Sequence, residues 1–342
     1  MPTMKQIAEL AGVSRGTVDR VLNHRGTVSG ETARKVREIA ATLQYRPSRA
    51  ARSLASRKRG LRLCYILFDP AANPYFAQVE AGIARKAAEL QEYGVTVEEL
   101  YSSFADPASQ DALLEQAVAG GAGGIVIAGF NTAETAARLR RITASGIPVV
   151  TANTDIDDSG RLAYVGCDHA RSGRTAGGLM RLLTRGSAHV GVLIGSRSVQ
   201  CHTARLAGFA EQLQRTAPGM EIAGVCENND DDFESFAVTR TLLEQHPGID
   251  ALYIAASGAY GACRAVELRG DAAPRPVIVC HDCLESTRTM LEKGVIAAAI
   301  CQQPEYQGAR PLDLLFNALA MDTPPERENY YTDIDILIRE NM

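Results

Sequence analysis

The sequence predicts an all-α helix-turn-helix head in front of an α/β body whose two lobes are built on parallel sheets. Three observations predict it. A helix-turn-helix pattern with arginines on one face fills the first 23 residues, the charge balance changes sign after residue 60, and from Leu61 short apolar runs alternate with helical patterns. At 342 residues the chain is long enough for two or three units with cores of their own.

Thr3 and Gln6 make a capping box, so the first helix starts at Met4, with Ile7, Leu10 and Ala11 as its buried face. Gly12 permits a sharp turn and Ser14 caps the second helix. Thr17, Val18, Val21 and Leu22 form the stripe that packs this helix, which leaves Arg15, Gly16 and Arg20 outside. Arginines at an exposed helix N-terminus suit base edges, because a guanidinium donates twice to guanine O6 and N7. The plainer alternative is a surface helix with solvated charges. A third helix follows Val28 with Ser29 as cap, and buries Val36, Ile39, Ala40 and Leu43.

Pro47 stops that helix. Residues 47–60 are basic and alanine-rich, too short to hold a helix alone, and would fold only against a partner. Duplex DNA is one such partner, with Arg49 and Arg52 near phosphates and Leu54, the one large apolar residue of the segment, wedged between base steps in the minor groove. A plain basic linker explains the charge but not the lone leucine. Residues 1–60 hold 13 Lys+Arg against 4 Asp+Glu, leaving 23 against 36 for the remainder, within a net charge of -4. A basic head on an acidic body is the pattern of a nucleic-acid-binding arm joined to an unrelated domain.

In the body, strands are predicted at 61–68, 95–100, 124–129, 147–151 and 163–166, and again at 189–195, 221–226, 251–255, 277–280 and 296–301, with helical patterns between them. Continuous apolar strands separated by helices indicate parallel sheets covered on both faces. The predicted lobes are about 61–162 with 294–325, and about 163–293 with 326–342, exchanging strands near Ala163, Gly294 and the C-terminal segment. Ligands of such sheets collect at the carboxyl ends of strands. There the sequence places Asn73, Tyr75 and Phe76, then Asn153, Ser257, Asp282 and Gln302, with Arg205 early in the helix after Gly195. Each residue alone has an ordinary structural reading as cap, turn or core. Together, two aromatics for a ring face and Asp, Asn, Arg and Gln for hydroxyls suit a sugar or polyol.

Several classes are excluded or weakened. No signal-type leader and no apolar run of bilayer length occurs, so a cytoplasmic protein is expected. The eight cysteines are scattered and read as small buried apolar residues; Cys280-x-x-Cys283 has no second pair or histidine at zinc spacing, so no metal site is expected. Phosphate-loop, nucleophile-elbow and zincin motifs are missing, and the glycines at 120–124 precede a strand where a dinucleotide fingerprint would follow one. A binding protein without a cofactor, and not an enzyme, is the expectation.

Gly-Val-Ser-x-x-Thr-Val-x-Arg-Val-Leu-Asn at 12–23, Val28-Ser-x-x-Thr32, Leu43-x-Tyr45-x-Pro47 and Ala51-Arg-Ser-Leu54 together resemble the lactose-repressor-like (LacI/GalR) family of bacterial transcription regulators. The resemblance implies a homodimer whose hinge helices pair in the minor groove at the centre of a palindromic operator, with Leu54 as wedge. Candidate DNA contacts are then Ser14, Arg15, Gly16, Thr17, Asp19, Arg20 and Asn23 in the second helix, and Arg49, Arg52 and Leu54 in the hinge. The body resembles the type I periplasmic sugar-binding fold, a periplasmic-binding-protein-like pair of lobes. Asn73-Pro74-Tyr75-Phe76, Ala204-Arg205-x-x-Gly208-Phe209, Asp282 and Gln302 are similar to the positions that grip the sugar in its pentose-binding branch. Two positions depart from the pattern: Asp19 stands where the family commonly has a backbone-facing serine, and Asn153-Thr154 where an acidic or acid-arginine pair is frequent. The implied function is that of a sequence-specific DNA-binding regulator, a repressor, controlled by a small carbohydrate or polyol held between the lobes. A sugar-binding module of a transport system, which needs export, and an architectural DNA binder without sensing are the alternatives.

Overall fold

The computed structural model describes residues 2–22, 27–43, 45, 60–104, 106–270 and 274–342. The chain divides into two compact units, Met1–Lys58 and Arg59–Met342.

The first unit carries α1 (Met4–Ala11), α2 (Arg15–Leu22) and α3 (Gly30–Thr42). Their ends form as the sequence dictates. The Thr3–Gln6 capping box is closed from both sides, Gly12 turns the chain at φ 70°, Ser14 Oγ accepts from the Thr17 amide at 3.1 Å, and Ser29 Oγ accepts from Thr32 at 3.3 Å. Ile7, Ala8, Ala11, Val18, Val21, Ala33, Val36 and Ala40 make the core. Leu10 corrects the expectation: it is 59% exposed. With 100° per residue, the stripe through Ile7, Ala8 and Ala11 is centred about 100° away from Leu10, and an eight-residue helix buries only that stripe. Asn23, Arg49, Arg52, Leu54 and the rest of the hinge before Gly60 lie outside the described residues.

The body alternates as predicted: β1 (Arg62–Phe68), α4 (Tyr75–Gln91), β2 (Thr96–Ser102), α5 (Pro107–Ala119), β3 (Gly124–Ile127), α6 (Ala133–Ala144), β4 (Val149–Asn153) and β5 (Ala163–Gly166) come first. Then follow α7 (His169–Leu183), β6 (Ser187–Ile194), α8 (Gln200–Thr216), β7 (Gly219–Glu227), α9 (Asp232–Gln245), β8 (Ala251–Ile254), α10 (Ala259–Glu267), β9 (Val277–His281), α11 (Glu285–Glu292) and β10 (Ala298–Cys301). Last come α12 (Pro304–Ala320), β11 (Asn329–Tyr331), β12 (Asp335–Leu337) and a single 3-10 turn at Arg339–Asn341. One sheet runs β11-β5-β4-β3-β1-β2 and the other β12-β10-β9-β8-β6-β7. All pairings are parallel except β12 on β10. Strands β3, β4, β5 and β8 are buried at every residue, which is why they carry no charged side chain and are mostly apolar.

The crossovers between lobes fall later than the sequence suggested. Ala163–Gly166 pairs with β4, Ala152 opposite Val165, and so completes the first sheet; β10 pairs with β9, Ala299 opposite Cys280, inside the second. The chain changes lobe between Gly166 and His169, between Cys301 and Pro304, and between Tyr331 and Asp335. An apolar strand has the same texture in either sheet, so only its pairing decides where it belongs. Helix α12 returns to the first lobe against α4, so closely that a Cβ on Gly82 would meet the Glu305 carbonyl oxygen at 2.1 Å. Helices α7 and α8 cross in the same way, with a Cβ on Gly173 falling 2.0 Å from Arg205 O and one on Gly208 falling 2.0 Å from Ala170 O.

Candidate functional site

Every one of the eight cleft residues expected from the sequence lines a single cavity of about 340 Å³, counted with the space at its mouth. Asn73, Tyr75, Phe76 and Asn153 come from the first lobe; Arg205, Ser257, Asp282 and Gln302 come from the second and its crossover. The common cause is topological. The carboxyl ends of β1, β4, β8, β9 and β10 face the gap between the sheets, so short turns after each strand deliver side chains to one place. Asn153, Asp230 and Asp282 sit at φ 62°, 57° and 61°, a left-handed conformation that side chains with a Cβ rarely adopt and that recurs at functional sites.

Polar atoms in the first-lobe wall are tied together by a residue that no motif indicated. Gln307, fully buried on α12, accepts from the Tyr75 hydroxyl and from Asn153 Nδ2, both at 3.2 Å, and donates to the Gln302 carbonyl. Asn153 Nδ2 also donates to Tyr75 Oη at 3.1 Å. The apolar part of the wall is aromatic: Phe104 stacks on Phe68 at 3.8 Å between centroids, and Phe76 meets Phe68 edge-on at 5.5 Å. In the second lobe, Arg205 is 3% exposed and donates through Nη1 to the Ala255 carbonyl at 2.9 Å, while its Nε has no hydrogen-bond partner among the described residues. Gln302 Nε2 donates to both oxygens of Asp282, at 3.0 and 3.2 Å.

The charged residues lining the cleft are Arg205, Asp230 and Asp282. Burial lifts the Asp282 carboxyl to about 6, against the pull of Arg205 and Gln302. His169 and His281, close to Arg205, are kept neutral by burial first and by that guanidinium second. The Ser196 amide donates to Nδ1 of His202 at 3.0 Å, so the ring proton stays on Nε2, which faces Asp230 Oδ2 at 3.6 Å. Burial pulls the His202 imidazole down while Cys201 and Asp230 lift it, to about 9; the Ser196 amide aimed at Nδ1 opposes a second ring proton, and Nε2 faces the Asp230 carboxylate in either state.

Sequence reasoning missed Phe68, Phe104, Val199, Cys201, His202 and Asp230 among the lining residues. Phe104 and Asp230 were within reach of the strand-end rule, since they follow β2 and β7. Gln307 left a weaker signal, a side-chain amide near the start of a helix, between Tyr306 and Gly308. All eight cysteines are free thiols, and Cys226, Cys283 and Cys301 are half-buried where burial was expected. Among the described residues no group of three or more His, Cys, Asp or Glu is placed to hold a metal ion, and no helix is long and apolar enough to cross a membrane.

On the head, Ser14, Arg15, Gly16 and Arg20 are exposed, and Thr17 and Asp19 half-buried. The Arg20 guanidinium lies along α2, donating through Nε to the Gly16 carbonyl at 3.3 Å and through Nη2 to Thr17 Oγ1 at 3.4 Å.

Residues 3–48 match the family described as bacterial regulatory proteins, lacI family, and residues 64–322 match that described as periplasmic binding protein domain. The body belongs to the periplasmic binding protein family, and the head to the lacI family of regulators. This lacI-type chain is 27% identical to the HTH-type transcriptional regulator CelR of Thermobifida fusca, over 99% of its own length and 98% of that relative. To the HTH-type transcriptional regulator GntR of Pseudomonas aeruginosa it is 33% identical, over 65% of the chain and 62% of the relative. Among solved structures, GanP, a glucose-galactose binding protein from Geobacillus stearothermophilus, superposes on 82% of the chain and 99% of its own with a TM-score of 0.75 and 26% identity. The XylFII-LytSN complex gives the same TM-score at 25% identity, again over 82% of the chain and 99% of the matched one. These relatives are regulators and binding proteins rather than enzymes, in agreement with the reading from sequence. A regulator-type head is thus fused to a binding-protein body, the arrangement of ligand-controlled DNA binding.

Proposed function

We propose that the protein is a repressor acting in the cytoplasm as a homodimer on a palindromic operator, and that its operator affinity is set by an uncharged sugar or polyol held between the two lobes. The observation that carries this reading is the convergence, in one cleft, of an unsatisfied buried Arg205 Nε, the Asp282 carboxylate and the amides of Asn153 and Gln302 beside an aromatic wall. Donors and acceptors in that mixture match hydroxyl groups, and the aromatic faces match the C–H face of a sugar ring. Two carboxylates, Asp282 and Asp230, line the cleft together with the Arg205 guanidinium, which disfavours a phosphorylated sugar against a neutral one. In the head, Arg15, Gly16 and Arg20 face the major groove, Asp19 acts on operator choice, and Asn23, Arg49, Arg52 and Leu54 serve as further contacts, Leu54 as a minor-groove wedge. An effector that favours one arrangement of the lobes shifts the population of that arrangement, and the difference in its affinity for the two sets the size of the response.

Thermal stabilisation across pentoses, hexoses, polyols and their phosphates tests this, since a ligand of the folded state raises the melting temperature. A neutral sugar or polyol shifts the transition, its phosphate does not, and Arg205→Ala loses the shift. No response to any neutral compound removes the sugar reading and leaves the head untouched.

A further inference from the structure

Besides bonds made at the crossovers, such as those of His169 with the Asn153 carbonyl at 2.7 Å and the Tyr164 hydroxyl at 3.0 Å, three direct hydrogen bonds among the described residues join the two lobes of the body across the cleft. The Asn131 amide donates to Ser198 O at 2.9 Å, the Cys201 amide donates to Thr154 Oγ1 at 3.2 Å, and Ser257 Oγ donates to Asn73 Oδ1 at 2.9 Å. The first two use backbone groups. The third joins two side chains, both of which the sequence had offered as ligand contacts.

Each partner of that third bond is held in place within its own lobe. The Ser257 amide donates to Asp230 Oδ1 at 2.7 Å and its carbonyl accepts from Asn228 Nδ2 at 2.8 Å; Asn228 in turn accepts from the Asp230 amide at 3.1 Å. On the other side, Asn73 is 4% exposed, its amide donates to Asp69 O at 3.0 Å, and its Oδ1 also accepts from the Tyr75 amide at 3.1 Å. Separation of the lobes leaves all of these local bonds intact and removes only the one between them. The Asn73–Ser257 bond therefore contributes nothing to the fold of either lobe and acts on their closure alone.

We propose that Asn73 and Ser257 form a latch that holds the body closed without a ligand, with Asp230 and Asn228 as the residues that position its serine. One donor and one acceptor, each preset by its own lobe, lose little side-chain freedom when they meet, so the bond favours closure by the full worth of a hydrogen bond. For the effector reading, on which the latch bears, the consequence is that Ser257 and Asn73 set how often the cleft is open, while Arg205, Asp282 and Gln302 set what it holds. The opening equilibrium is readable in the absence of any effector, so the latch and the sugar reading succeed or fail separately.

Hydrogen exchange of the full chain, without added ligand, tests it on peptides spanning 129–133 and 199–203, whose Asn131 and Cys201 amides donate across the cleft. Ser257→Ala speeds exchange there by about fivefold, the equivalent of one net hydrogen bond in the opening equilibrium. Strand β8, which belongs to one lobe, exchanges as before. Ser257→Thr keeps the hydroxyl and restores the rates of the natural protein. Unchanged rates at both interlobe peptides in Ser257→Ala overturn the latch. So does a uniform acceleration that includes β8, which assigns the side chain to the fold instead of to closure.

Discussion

Gln302 holds the Asp282 carboxylate by donating one amide nitrogen to both of its oxygens, at 3.0 and 3.2 Å. The pair joins the ends of β9 and β10, and it keeps an acceptor charged in surroundings that disfavour charge. Asp282 is thus a place where binding and stability pull apart.

The folded-state value of Asp282 is raised to about 6 by burial. The unfolded chain titrates near the ordinary carboxyl value of about 3.9, so the folded protein holds the extra proton in the window between the two. Lowering the pH through that window stabilises the protein through this group, by roughly 1–3 kcal/mol, and the same protonation removes the acceptor for an effector hydroxyl. Asp282→Asn is therefore expected to melt higher than the natural protein at pH 7, to lose this contribution to the pH dependence between about 4 and 6, and to bind effector at least tenfold more weakly. Melting curves at pH 5 and 7 check it; a variant less stable than the natural protein at pH 7 contradicts it.

Gly173 lies under Arg205, where an added Cβ would fall 2.0 Å from the Arg205 carbonyl oxygen. Backbone cannot yield as a flexible side chain does, so Gly173→Ala must push α8 away from α7 and carry Arg205 with it. The expected cost is about 2–3 kcal/mol, with a loss of effector response larger than the loss of stability accounts for. Urea titration and effector binding on the same sample separate the two effects.

Gln307→Leu keeps the volume and removes the hub. Tyr75 Oη, Asn153 Nδ2 and the Gln302 carbonyl each lose a partner in a buried site. A loss of about 2–4 kcal/mol in stability is expected, together with weaker effector binding, because three cleft groups are freed at once. Equal stability by urea titration would show that the three groups find other partners.

For the head, Ser14→Ala removes the cap that Ser14 Oγ gives the Thr17 amide and is expected to cost about 1 kcal/mol, weakening binding to all duplexes alike. Asp19→Ser acts differently. A carboxylate near phosphates repels the backbone, or accepts from a cytosine amino group, so its loss changes the ratio of operator to random-duplex affinity. Fluorescence anisotropy on a selected operator and on random duplex, at fixed salt, distinguishes the two variants; an unaltered ratio for Asp19→Ser makes it a bystander.

The local features were legible in the sequence because they depend on neighbours three or four residues away. The Thr3–Gln6 box, the Ser14 and Ser29 caps and the Gly12 turn formed as read, and the strand-end rule collected Asn73, Tyr75, Phe76, Asn153, Ser257, Asp282 and Gln302 around Arg205. Leu10 was misjudged because periodicity gives a helix its apolar residues but not which of them the partner helices cover.

Chemistry and order along the chain were thus determined by the sequence: a basic capped head, alternating strands and helices, and polar residues after the strands. Tertiary structure alone decided the rest. It assigned Ala163–Gly166 to the first sheet and Ala298–Cys301 to the second, brought Gln307 across 232 positions to Tyr75, and set Ser257 against Asn73 from 184 positions away. Those pairings join segments whose local patterns are interchangeable, so no window of sequence distinguishes them; only the register of strands and the close crossings of glycine-bearing helices select one partner over another.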